Sequence, residues 1–314
     1  MKWHLFAVLM TVSSMLAGST LSLPSSESAA TSAAVQIISP STQQEGETIF
    51  QKTVNYWIDE LAQQKGFESW KNARWSSEPL GAQMHSWVIE IRSGDVVVGY
   101  MVMGADAAGS YRLLEYGQGT YPLFNTSLLS PYLESLGIAY SDATWTRIYH
   151  HPLESFWYAE TSQGGYLFDA KNGEYYETDS QKLRGLINLP ESAGLPGMEN
   201  EHESLTVHAR MTLKETTDVP SFDPFLTIPW VGQDPLSEPL PQLIADFIKS
   251  GQHITYTQRI IAGEMILPLA VSGFHIWTDG ELQIYYFAVD QEGQRFIPYV
   301  MMTEKGSFYS EPIS

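Results

Sequence analysis

The chain has 314 residues, 43% hydrophobic and 12% aromatic, which is enough apolar material to bury two ordinary cores and excludes a disordered polymer. A formal net charge of -19 works against nucleic-acid and anionic-lipid partners, and no run of Lys and Arg offsets it. With no cysteine, disulfide stapling, a thiolate nucleophile and lipid attachment at cysteine are all excluded.

Lys2 precedes an apolar run from Leu5 to Leu16 that breaks into Ala17-Gly18-Ser19-Thr20. The run is short for a membrane span and suits a secretory signal, with an uncleaved N-terminal anchor as the second reading. Residues 1–18 are therefore expected to be a signal peptide, cleaved after Gly18 or near Ala29-Ala30. An exported chain without cysteine fits a secreted or cell-envelope protein of a Gram-positive type of bacterium. Residues 19–46, dominated by Ser, Ala, Thr and Gln, read as a disordered tether.

The folded part begins at a capping box, Thr48 with Gln51. Ile49, Val54, Trp57, Ile58 and Leu61 then recur at helical spacing, and Gly66 is the expected stop. Three strands follow at Ser86 to Arg92, Val96 to Gly104 and Tyr111 to Tyr116. The first alternates with one wet face, whereas the second is apolar on both sides and wants cover on both. Pro131 to Leu136 reads as a short helix closed by Gly137, and Trp145 to Tyr149, Phe156 to Thr161 and Tyr166 to Asp169 read as further strands. This N-terminal module spans 47–189.

Residues 190–222 read as a linker, acidic and punctuated by Pro and Gly at its start. In the C-terminal module, 223–314, a proline-rich surface segment leads into a helix over Gln242 to Lys249 with Leu243, Ile244, Phe247 and Ile248 as its stripe. Strands are expected at His253 to Ile261, Met265 to Trp277, Leu282 to Asp290 and Arg295 to Met302, with Pro268 arguing for an edge or a bulge. The fold class is thus α+β, two modules that each pack a helix on an antiparallel meander.

Two local resemblances accompany these elements. The helix from Thr48 to Gly66, the meander ending in Leu113-Leu114-Glu115-Tyr116-Gly117, and the later Tyr166-Leu-Phe-Asp169-Ala-Lys-Asn-Gly173-Glu resemble PepSY-like and streptopain-propeptide-like modules of secreted bacterial proteins. That resemblance implies a helix-plus-meander fold and regulation or inhibition of peptidases. Ile228-Pro-Trp-Val-Gly-Gln233, Ala270-Val-Ser-Gly273-Phe274 and Ile284-Tyr-Tyr-Phe-Ala-Val-Asp290 resemble fragments of papain-like peptidases of the bacteriocin-processing type. There Gln233 would stand at the oxyanion hole and Asp290 would orient the histidine. The chain lacks the nucleophilic cysteine, and Ile266-Leu267-Pro268 replaces the expected histidine, so this resemblance implies an inactive remnant.

No phosphate loop, Ser nucleophile elbow, zinc-binding His pair or calcium loop is readable, and no cofactor or metal is expected. His150, His151 and Glu154 could be metal ligands, but adjacent strand residues point to opposite faces. His202 and His208 fall in or beside the acidic linker, and His275 reads as a packed or edge imidazole. Glu90, Asp95 and Glu115 are the carboxylates that an acid-base hydrolase could use. Asp106 and Asp279 belong to hairpin turns. Trp70, Trp75, Trp87, Trp145, Trp157, Trp230 and Trp277 are mostly core, with any exposed ones able to grip a peptide or a sugar. The expected function is a non-enzymatic binding or regulatory protein with a peptide or protein partner. A secreted hydrolase using acidic residues is the alternative.

Overall fold

In a computed structural model, the structure describes residues 36–38, 48–80, 85–106, 109–187, 206–208 and 210–311. The signal peptide, nearly all of the tether, and the start of the linker with His202 lie outside the described residues. Within the expected tether, Gln36–Ile38 forms β1, paired with β2 (Arg74–Pro79) at the edge of a sheet. Helix α1 (Ile49–Leu61) opens on the Thr48/Gln51 capping box and buries Val54, Trp57, Ile58 and Leu61. It stops at Leu61 rather than at Gly66, because little after Leu61 has apolar surface to bury; Gly66 lies in the following turn.

The meander is present as β3 (Ser86–Ser93), β4 (Val96–Ala105) and β5 (Tyr111–Gln118), joined on its outer side by β2, a mostly polar strand that periodicity did not mark. Strand β4 is covered on both faces. Met101 and Met103 pack with α1, while Tyr100 and Val102 pack on the other side with Trp157 and Phe168. That second layer also covers Val88, so the face of β3 expected to be wet is partly buried.

The covering layer is a separate four-stranded antiparallel sheet, β6 (Thr144–His151), β7 (Glu154–Thr161), β8 (Gly164–Asp169) and β9 (Tyr175–Tyr176). Helix α2 (Ser130–Leu136) precedes it and α3 (Ser180–Ile187) follows it.

The expected linker supplies two strands. β10 (Val207–His208) pairs with β5, and β11 (Thr212–Asp218) pairs with β13 (Met265–Thr278). After two short helices, α4 (Pro229–Gly232) and α5 (Pro241–Lys249), β12 (Ile254–Ile260), β13, β14 (Gln283–Asp290) and β15 (Gln294–Pro298) form the second meander. Residues Tyr299–Lys305 are helix α6 rather than the end of a strand. Its Met301 and Met302 turn into a core shared with α5, and β16 (Gly306–Ser310) then pairs with β12.

The two meanders are not separate sheets. β15 pairs with β5 through Phe296 opposite Tyr116 and Arg295 opposite Gly117, so both belong to one twelve-stranded sheet. β13 makes this possible by bending. Its first half pairs only with β12, which puts Pro268 on an open edge, and its second half lies between β11 and β14. The register shifts at Gly273, whose φ is 157° and where a Cβ would sit 2.3 Å from the Thr217 carbonyl oxygen, so only glycine fits the bend.

Candidate functional site

The seam between the meanders is only two residue pairs long, and where it ends a groove opens. β5 stops at Gln118 while β4 begins earlier than its partner, so Val96 to Val98 have β3 on one side and no strand on the other. Opposite stand the β14–β15 turn with Asp290, Gly293 and Gln294, and Ser272 beside the β13 bend. The groove holds about 500 Å³.

Its lining is nearly uncharged and mixes the valines Val96, Val97, Val98 and Val219 with polar side chains. The Gln118 carboxamide donates to that of Gln294, whose own Nε2 donates to Ser272 Oγ at 3.2 Å and to the Ser272 carbonyl at 3.3 Å. Ser69, Thr120 and Ser221 add hydroxyls, and Asp290 is the one ionisable side chain among the described lining residues. Gly117 lets the two halves approach here, since a Cβ on it would meet the Tyr100 ring at 2.5 Å and the Gln294 carbonyl at 2.8 Å. The indole of Trp70 donates to the Val98 carbonyl at 3.1 Å and so holds the start of β4 in place.

Behind the groove, the same turn enters a buried polar network. Arg295 donates to Glu115 Oε2 through Nη2 at 2.8 Å and Nε at 3.2 Å, to Gln291 at 2.6 Å, and to the Pro152 carbonyl. Gln291 in turn donates to both oxygens of Asp169 at 3.2 Å. Lys171, fully buried, donates to the carbonyls of Tyr121 at 2.8 Å and Glu292 at 2.6 Å. The network fastens the four-stranded sheet to the seam.

Burial pushes the Glu115 carboxyl up, and the Arg295 guanidinium opposes that push. Burial likewise works against the charge on Arg295, but Glu115, Tyr100 and Asp169 outweigh it and its pKa is raised. Lys171 is lowered to about 8, chiefly by burial and then by Arg295.

The residues singled out from sequence do not gather. His150 bonds the Leu186 carbonyl at 2.9 Å and His151 the Met301 carbonyl at 2.8 Å. Glu154 lies 3.7 Å from Lys305, and no group of three His, Asp or Glu that could hold a metal occurs among the described residues. His208 is 3.7 Å from Asp279, which mainly accepts the backbone N–H groups of its own turn, and Asp106 closes its hairpin by accepting from Ser110 N.

The three carboxylates considered for acid-base work are dispersed. Glu115 is buried on Arg295, Glu90 pairs with Arg92, and Asp95 sits in an exposed turn near Arg74. Gln233 is exposed next to α4 and does not line the groove, whereas Asp290 does. His275 is buried: the Tyr116 hydroxyl accepts from Trp277 Nε1 at 3.2 Å and shares a hydrogen bond of 2.8 Å with His275 Nδ1, and burial lowers the imidazole to about 3. Trp70, Trp75, Trp157 and Trp277 are core, while Trp87, Trp145 and Trp230 are half-buried.

Gln118 and Gln294 carry no mark in the sequence because each is an ordinary polar residue at a strand end. The usable signal was Gly117, a glycine inside a strand, which marks close approach. Compared with known proteins, the chain matches no family model, no curated protein and no solved structure.

Proposed function

We propose that the chain is an exported, envelope-associated binding protein that holds an extended, uncharged stretch of a peptide or protein partner in the seam groove. The observation that carries this is a strand end, Val96 and Val97, that has no strand on its outer side and faces a wall of carboxamides and hydroxyls, while the next carbonyl, that of Val98, is already taken by Gly119 N and the Trp70 indole. A strand added at such an edge gains main-chain hydrogen bonds, while Gln118, Gln294 and Ser272 offer donors and acceptors to its polar side chains. With one carboxylate and no cation among the described lining residues, the groove offers an ionic ligand no set of matching charges, so shape and hydrogen bonding select an uncharged one. A regulatory role toward peptidases accords with the sequence likeness to propeptide-like modules.

The test is retention of the purified full chain on an immobilised library of extended peptides rich in Ser, Thr, Gln and Val. Binding should be weakened by Gln294→Ala and abolished by N-methylation of alternate backbone amides in the retained peptide. Absence of retention, together with hydrolysis of a glycan or peptide library, would establish the hydrolase instead.

A further inference from the structure

A second surface lies on the segment from Asp223 to Asp246, which begins just after the groove-lining Ser221. It exposes large apolar side chains one after another: Leu226 is 80% exposed, Val231 and Leu240 72%, and Phe225 63%. Exposed apolar side chains scattered singly need no explanation, but a concentration of them in one short segment marks an interaction site. Every ionisable side chain on the same stretch is acidic. Between Lys214 and Lys249 there is no Lys, Arg or His, and Asp223, Asp234, Glu238 and Asp246 are all exposed.

The segment is also held firmly. The Leu236 N–H donates to the Phe308 carbonyl at 2.8 Å, the Tyr299 hydroxyl donates to the Pro239 carbonyl, and the Thr227 hydroxyl donates to Glu311 at 2.7 Å. Ile228 is kept at φ 40° and Glu238 at φ 41°, conformations that a side chain with a Cβ adopts only where the surroundings impose them. These contacts point Leu226 and Val231 outward on a fixed backbone, so little ordering entropy is lost when they are covered.

We infer that this acidic, apolar segment is a docking surface for a cationic amphipathic partner, a helix or strand presenting apolar side chains flanked by Lys and Arg. The charge sign selects that occupant: an anionic membrane is repelled, and a second copy of the segment would place like charges together. None of its residues lines the groove.

The test is fluorescence anisotropy of a labelled amphipathic helix of leucine and lysine with the full chain. It should bind, weaken as salt is raised, and bind at least about tenfold more weakly to the Leu226→Ser/Val231→Ser variant, the loss expected when two buried apolar contacts are removed. Ile266→Ser, an exposed apolar residue outside the segment, should change nothing, and melting temperatures should match throughout. The inference is overturned if the peptide does not bind, if a leucine and glutamate helix binds equally well, or if the double variant binds unchanged, which would reduce the attraction to net charge alone. Phosphatidylcholine vesicles that retain the protein and release the double variant would assign the surface to a bilayer. A dimer in sedimentation lost in the same variant would assign it to self-association.

Discussion

Acidification should destabilise this fold through two buried imidazoles. His151 and His275 are both lowered to about 3 by burial, against 6.5 for an exposed imidazole, so the folded state excludes protons that the unfolded state accepts. The stabilisation is complete above pH 6.5 and is lost as pH falls from there toward 3. Each histidine contributes a limiting slope of about 1.4 kcal/mol per pH unit, and between pH 7.5 and 5 the pair should remove about 4 kcal/mol, a large share of a typical folding free energy. His150, also lowered by burial, acts in the same direction, and Glu115, raised by burial, acts against it. Urea titrations at intervals across that range, for wild type, His151→Gln and His275→Gln, separate the terms, because the pH slope is read independently of each variant's stability at neutral pH. Each variant should lose about 2 kcal/mol of the pH-dependent change. A variant with the wild-type slope would show that its imidazole is already protonated in the folded protein and refute the reasoning.

Removing one partner of the fully buried Glu115–Arg295 pair should be severe. Arg295→Met should cost about 3–5 kcal/mol in chemical denaturation, and the double change Arg295→Met/Glu115→Leu should recover much of it, because the penalty comes from the charge left behind. Lys171 carries a lowered pKa, so its burial costs stability below pH 8 and the cost is relieved as pH rises toward 10.5. Relative to Lys171→Met, wild type should gain about 2 kcal/mol between pH 8 and 9.5 in the same assay. Gly273→Ala meets both a closed space and a disfavoured φ, and should lower stability by at least about 1–3 kcal/mol; a fully stable variant would mean that the bend of β13 relaxes freely.

Local pattern was a good guide wherever one element decides its own conformation. The capping box at Thr48, the apolar stripe of α1, the three strands of the first meander and the left-handed Gly137 after α2 are all where the residues put them. Pattern failed where long-range pairing outweighs propensity. β2 is a polar edge strand recruited by β3, β11 is a Thr-rich strand recruited by β13, and Tyr299–Lys305 winds into a helix so that Met301 and Met302 reach the core. The stripe of α5 was also half right: Ile244 and Ile248 are buried, but Leu243 is exposed.

A cysteine-free, acidic α+β chain with two helix-and-meander plans is legible in the residues alone, because composition and period are properties of neighbours along the backbone. That the two meanders share one sheet is set by long-range pairing, since Phe296 and Tyr116 lie far apart along the chain and their meeting is encoded in no local period. The groove follows from the same fact. It exists because two strands pair for two residues and then part, leaving Gln118 and Gln294 to face each other.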